Sequence, residues 1–268
     1  MKFLQGSKLR YLFLAPSHGP VIPSGRPPSR NRRLHDSYLK AVQRLRSRIY
    51  RKDGAIQDWQ LDGDGGYHMS GDDRSWHLLL INGDDQIAGC TRYLVHPNTI
   101  TFEGLILRHA SLSSDRHWGA KMRSAIETEI RLARAEGVPY VELGGWALEE
   151  EFRGTKAALK ILLASYAWAR LLGGCRCACT ATVRHGSASI LRKIGGATVE
   201  LHGEGLPTYN DPAYGCEMEI LRFDWRNPNP RFLGLVSEVE EDLRHAPIIT
   251  TSPNSVSRND PARVRVAC

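Results

Sequence analysis

VPYVELGGWALEEEFRGTKAALKILLASYAWARLLG, residues 138–173, decides the fold. VPYVELGGW has the apolar content of a buried strand. A loop carrying Glu, Gly and Arg follows it. GTKAALKILLASYAWARLLGG is then rich in Ala and Leu and stops at a glycine pair, which marks a long helix. A strand that runs through such a loop leaves the free N–H groups and positive dipole end of the helix facing it. That end can hold a phosphate or pyrophosphate. Arg153 offers a charge-assisted fork there and Lys156 a point charge, while Gly154 permits close approach. The competing reading is an ordinary strand–helix connection with basic residues toward solvent.

Upstream, DSYLKAVQRLRSRIY places Leu39, Val42, Leu45 and Ile49 on one helical side, with Asp36 or Ser37 as cap. QDWQLDGDGGYHMSGDD, residues 57–73, holds nine Asp and Gly and reads as a loop. WHLLLI and QIAGCTRYLV form a strand pair across Asn82-Gly83, and TITFEGLIL is a third strand. A helix is expected from Trp118 to Glu136, ended by Gly137. Downstream, CRCACTATV is a strand, Ser187 to Ile194 a short helix, and CEMEILRFDW a closing strand. This order predicts one mixed α/β domain with helices flanking a mostly antiparallel sheet. The predicted limits are a flexible basic arm over 1–34, the domain over 35–250 and a flexible tail over 251–268.

Net charge is +7, but residues 1–33 hold seven Lys or Arg and no acid, so the remainder is near neutral. No base-reading or stacking motif accompanies the arm, which argues against a nucleic-acid partner. Without GxGxxG or GxxxxGK[ST], dinucleotide and nucleoside-triphosphate sites lack their usual signal. No run of about 18 apolar residues predicts a transmembrane segment, and Lys8 and Arg10 break up the apolar start, so a cytoplasmic location is expected. The six cysteines read as reduced and structural. The one-residue spacing of CRCAC is too short for a zinc site, so no metal is expected, and its thiols would share one strand face.

EFRGTKAALKILLASYAWARLLG resembles the pantetheine-pyrophosphate motif of the Gcn5-related N-acetyltransferase (GNAT) superfamily. The family pattern is Arg or Gln, two residues, Gly, one residue, then Gly or Ala. Arg153 and Ala158 take the outer positions, and Lys156 stands where the family has its middle glycine. HGSASILRKIGG is similar to the short helix that flanks the donor's thiol arm. A narrower resemblance, over about residues 38–245, is to acyl-homoserine-lactone synthases and, more so, to long-chain N-acyl amino acid synthases. Arg46, Tyr50, Asp72 and Arg92 match their site-organising positions. Arg131 fits an acid–arginine pair whose acid is Glu127 or Glu129, and Trp59 matches the expected tryptophan only approximately.

The resemblance implies the GNAT acyl-CoA N-acyltransferase fold and transfer of an acyl chain to the amine of an amino acid or similar small molecule. The implied donor is acyl-CoA or the acyl-phosphopantetheine of an acyl carrier protein, which would be a partner. No tightly bound cofactor is implied. Two alternatives stand beside it: a short-chain acetyl-CoA-dependent acetyltransferase acting on a small amine or protein, and a non-catalytic acyl-thioester-binding protein. In this chemistry an amine attacks a thioester carbonyl, so the carbonyl must be polarised and the amine deprotonated. Leu143, Gly144, Gly145 and Trp146 are the expected thioester seat. Arg153, Gly154, Thr155, Lys156 and Ala158 are the expected pantetheine-phosphate seat. Glu142, Glu129 and His185 are the candidate bases, each with a structural role as its competitor. Cys90, Cys179 and Cys216 lack a nearby histidine, so a covalent acyl-enzyme is disfavoured.

Overall fold

The structure is a computed structural model, and it describes residues 9–17 and 28–251. Strands are β1 (Arg10–Leu14), β2 (Ser29–Arg30), β3 (Trp76–Ile81), β4 (Ile87–Val95), β5 (Tyr140–Leu148), β6 (Arg176–Thr182), β7 (Ala197–Thr198), β8 (Glu200–Leu201), β9 (Glu204–Gly205), β10 (Tyr209–Asp211), β11 (Cys216–Asp224) and β12 (Ile248–Thr250). Helices are α1 (Arg32–Lys52), α2 (Gly119–Ala135), α3 (Lys156–Leu171), α4 (Ser187–Lys193) and α5 (Leu233–Arg244). The main sheet runs β10-β11-β6-β5-β4-β3-β1-β12-β2, with β7 added on β11. Pairing is antiparallel except at β5–β6, β1–β12 and β12–β2. This is the mixed α/β architecture the sequence predicts.

Side-chain alternation divides the core between the two faces of the sheet. On one face α3 and α5 cover Leu78, Tyr93, Val141, Leu148 and Leu221, and Tyr93 stacks on Trp168 with ring centroids 4.7 Å apart. On the other face two separate clusters form. Val42, Leu45 and Ile49 of α1 pack on Leu79, Cys90 and Ala147. Met122, Ala125, Ile126 and Ile130 of α2 pack on Tyr140, Ala178 and Ile220. The polar residues of the candidate site lie between these two clusters. Cys175, Cys177 and Cys179 all join the α3 face, while Ala178 joins the other, so the thiols do share a side.

Three expectations differ from the structure, and one helix was not anticipated. Residues 10–14 fall in the expected flexible arm, yet they form an interior strand with Leu12, Phe13 and Leu14 buried; the other arm residues, 1–8 and 18–27, lie outside the described residues, as do 252–268 of the expected tail. Helix α1 starts before Asp36, because the Asn31 side chain accepts the Leu34 N–H at 2.9 Å. TITFEGLIL is not a strand but part of a run of 3₁₀ turns over Phe102–Gly104, Leu107–His109 and Ser111–Ser114. Its apolar residues are spaced to insert against α2, and its N–H groups at 106 and 107 bond to Glu142 rather than to a sheet edge. Helix α5 was not read from the sequence, although Val236, Val239 and Leu243 repeat at helical spacing and bury against α3.

Candidate active site

Strands β5 and β6 pair only from Tyr140↔Arg176 to Glu142↔Ala178. Beyond that point the edge of β5 facing β6 has no strand partner among the described residues, although β5 runs on to Leu148. The opposite edge of β5 stays bonded to β4, but its register shifts between Cys90↔Ala147 and Arg92↔Gly144. That shift is a β-bulge, a device that bends a strand and re-aims its side chains. Gly145 sits in the bulge at φ +63, a backbone conformation that favours glycine. An added Cβ there would stand 3.1 Å from Arg92 Cβ and 3.2 Å from Arg46 Nη1. The end of β6 pairing, the bulge and the positive φ thus all fall on or next to the segment Leu143, Gly144, Gly145 and Trp146.

A buried ionic centre supports the bulge from the α1 side. Arg46, fully buried on α1, grips Asp72 with both Nη atoms, one at 2.9 Å from Oδ1 and the other on Oδ2. Arg92 Nη1 donates to the Ser70 carbonyl at 2.7 Å and to Asp72 Oδ1 at 3.4 Å. The Met69 N–H and Gln43 Nε2 donate to Asp72 Oδ2 at 3.1 and 3.3 Å. Burial pushes the Asp72 carboxyl up, but the hydrogen bonds and charge of Arg46 outweigh it and hold the group well below the usual carboxylate range. The same burial lowers Arg92 and drives His77, whose Nε2 meets the Asp72 carbonyl at 2.8 Å, down to about 4. Through these bonds the 69–72 loop is held against the bulge. Met69 Sδ lies 3.6 Å from the Cβ position of Gly145 and Met69 Cε 3.8 Å from that of Gly144.

Tyr50, one turn beyond Arg46 on α1, donates its hydroxyl to the Trp146 carbonyl at 3.1 Å. Its ring meets Tyr67 edge-on at 5.8 Å. Arg46, Tyr50, Asp72, Arg92 and the 143–146 segment therefore come together as one site. Met69, Tyr67 and Gln43 belong to it as well and were not picked out from the sequence. Their signal was weak, since a Met and a Tyr inside an Asp/Gly loop look like solvent-facing residues until the loop is folded back by a buried carboxylate.

Other candidates lie elsewhere. Glu129 and Arg131 are on α2, away from the Asp72 centre. Glu129 accepts from Arg176 Nη1 at 3.0 Å at the start of β6, where Glu136 also binds Arg176. Arg131 is exposed and bonds to Thr128. Helix α2 packs in a different cluster from α1, so neither residue joins the carboxylate that Arg46 and Arg92 share. Glu142 points to the α2 side and is buried. Its Oε2 meets His96 Nε2 at 2.7 Å and the Ile106 N–H at 3.0 Å, and its Oε1 accepts the Leu107 N–H at 2.6 Å. Three donors thus engage it as the anchor of the 102–114 turns. His185 lies in the 3₁₀ turn Arg184–Gly186, after β6.

The loop after β5 leads into α3 as the sequence predicts. Gly154 has φ +71, and a Cβ added to it would meet nothing within 4 Å, so the space in front of it is open. Thr155 caps the helix, accepting the Ala157 N–H at 3.2 Å. Lys156 turns toward α5 and pairs with Glu238 at 3.3 Å, while Ala158 packs against the α3–α5 core. Arg153 pairs with Asp53 at 3.1 Å. Among the described residues no group of His, Cys, Asp and Glu could hold a metal ion, and no helix is long and apolar enough to cross a membrane.

No family model and no curated protein matches this sequence. Solved structures do match in shape. BjaI, a CoA-dependent acyl-homoserine lactone synthase, bound to SAM and isopentyl-CoA, superposes with a TM-score of 0.54 at 14% identity, covering 93% of this chain and 95% of that one. The same protein with MTA gives 0.54 at 14% identity, over 91% and 95%. The chain has the GNAT fold. FeeM, an N-acyl amino acid synthase from uncultured soil microbes, matches at a TM-score of 0.49 and 12% identity, over 84% and 95%.

Proposed function

We propose that this chain is an N-acyltransferase that moves an acyl group from acyl-CoA or an acyl carrier protein to the amine of an amino acid or similar small molecule. The observation that carries the reading is the parting of β5 from β6 after Glu142, with a glycine bulge at the parting point. An unpaired strand edge offers backbone N–H groups fixed in direction, and such donors polarise a carbonyl laid against them. In this reading the pantetheine arm runs along β5 from the Arg153–Ala158 turn, and the thioester reaches Leu143–Trp146. The amine, arriving neutral, attacks the carbonyl carbon. The C–N bond forms, the C–S bond breaks, and the thiol leaves carrying the amine's proton. Arg46, Asp72 and Arg92 hold the wall on which Tyr50, Tyr67 and Met69 meet the acceptor.

Glu142 and Glu129 are already engaged by neighbouring donors, so neither is assigned as the base. The test is direct. The purified protein is incubated with acyl carrier thioesters and, separately, acyl-CoA, together with a pool of amines, and products are identified by mass. Thiol release with a matching amide supports the proposal. No thiol release from any donor refutes it.

A further inference from the structure

The last turn of α1 and the loop after β5 face each other with opposite charges. Arg48 pairs with Glu149 and Lys52 with Glu150. In both pairs the cation is on α1 and the acid on the loop. The next pair is reversed. Asp53, at the end of α1, accepts from Arg153 of the loop, Nη1 and Nη2 to Oδ1 at 3.3 Å each and Nη2 to Oδ2 at 3.1 Å. The residue after Asp53 reaches the other side of the splay. Arg184, just beyond β6, donates Nη2 to the Gly54 carbonyl and, at 3.1 Å, to the Tyr214 carbonyl. Gly54 turns this corner at φ +66. Consecutive residues of one corner thus touch the segment that leaves β5 and the segment that leaves β6.

We infer that the Asp53–Gly54 corner is a latch across the mouth of the β5–β6 splay, with Asp53 occupying Arg153 in place of a donor phosphate. This rests on the donor reading above. A phosphate that reaches Arg153 must compete with a carboxylate already paired there. When it succeeds, the corner loses the Asp53–Arg153 tie and keeps the Arg184 contact. The latch sets donor affinity and couples donor arrival to opening of the mouth. Arg153 and Asp53 are both partly exposed (43% and 28%), so the exchange requires no unfolding of the core.

The test is a double-mutant cycle on the full chain, with coenzyme A and a phosphopantetheine-loaded carrier protein as the two probes. Binding is measured by calorimetry for the wild type, Asp53→Asn, Arg153→Ala and the double variant. Asp53→Asn is expected to tighten binding about three-fold, as suits release of an exposed ion pair. The gain is expected to vanish in the Arg153→Ala background. Hydrogen exchange at residues 54–56 is expected to quicken on probe binding in the wild type, and to be quick without a probe in Asp53→Asn. Unchanged or weaker binding by Asp53→Asn, or an equal gain with and without Arg153, overturns the latch while leaving the donor seat intact. If neither probe binds the wild type or any variant, the donor seat fails and the latch with it.

Discussion

Replacing Asp72 by Asn should be among the most damaging single changes of charge in this protein. Arg46 has no solvent contact, and its counter-charge is the Asp72 carboxylate, itself only 6% exposed. Asparagine keeps the size and part of the hydrogen bonding but leaves a buried guanidinium without an opposite charge, beside a second one on Arg92. Breaking a buried pair from one side costs about 3–5 kcal/mol. For a chain of this size that corresponds to a fall in Tm of roughly 6–20 °C. Urea and thermal unfolding followed by far-ultraviolet circular dichroism would measure it. The sign of the pH dependence is also fixed. The folded carboxyl titrates well below its ordinary value, so the stabilisation is full above the unfolded value of about 3.9 and is lost as pH falls through the lower folded one. The gap between wild type and Asp72→Asn should therefore be constant near neutrality and shrink below pH ~4. A deficit under about 1 kcal/mol for Asp72→Asn would refute the reasoning.

His77 and the bulge give two further tests. His77 is held neutral by burial down to about 4, so the unfolded chain binds a proton first as pH falls from about 6.5; wild-type stability should drop by about 3 kcal/mol between these values, in a window above that of Asp72, and His77→Gln should flatten it in a pH series of urea melts. Gly145→Ala forces a side chain into positive φ and against Arg92 and Arg46, and should cost about 2–4 kcal/mol in the same assay. Gly144→Ala meets nothing nearer than 3.8 Å and should cost under about 1 kcal/mol, so equal penalties at the two positions would contradict the bulge geometry.

Much of the fold was legible because its signals are local. The alternation of Cys175, Cys177 and Cys179, the Asn82-Gly83 turn and the Ala/Leu run ended by Gly173-Gly174 need no distant partner to be read. What failed were segments whose state is set from afar. TITFEGLIL has strand composition, but a carboxylate on β5 takes up its N–H groups. RYLFL of β1 looked like part of a polar arm, because its partners β3 and β12 lie roughly 65 and 235 residues downstream. At the site, Arg46, Asp72 and Arg92 could be matched one by one, yet their convergence on a single carboxylate could not be read from spacing. Arg131 and Glu129 fitted a pattern equally well and face another part of the molecule. Periodicity places a residue on a helix face; only packing decides what that face meets.

The position of β1 has a consequence for how the chain acquires its shape. Lying between β3 and β12, it joins a segment made early in synthesis to one made late. One long side of β1 must stay uncovered until residues 248–250 leave the ribosome, and closing so long a loop is slow. Cutting the chain at residue 34 would not trim a dispensable leader. It would bare the flank of β3, a row of backbone groups open to any passing strand, and the truncated product should be recovered as aggregate rather than as a smaller native protein.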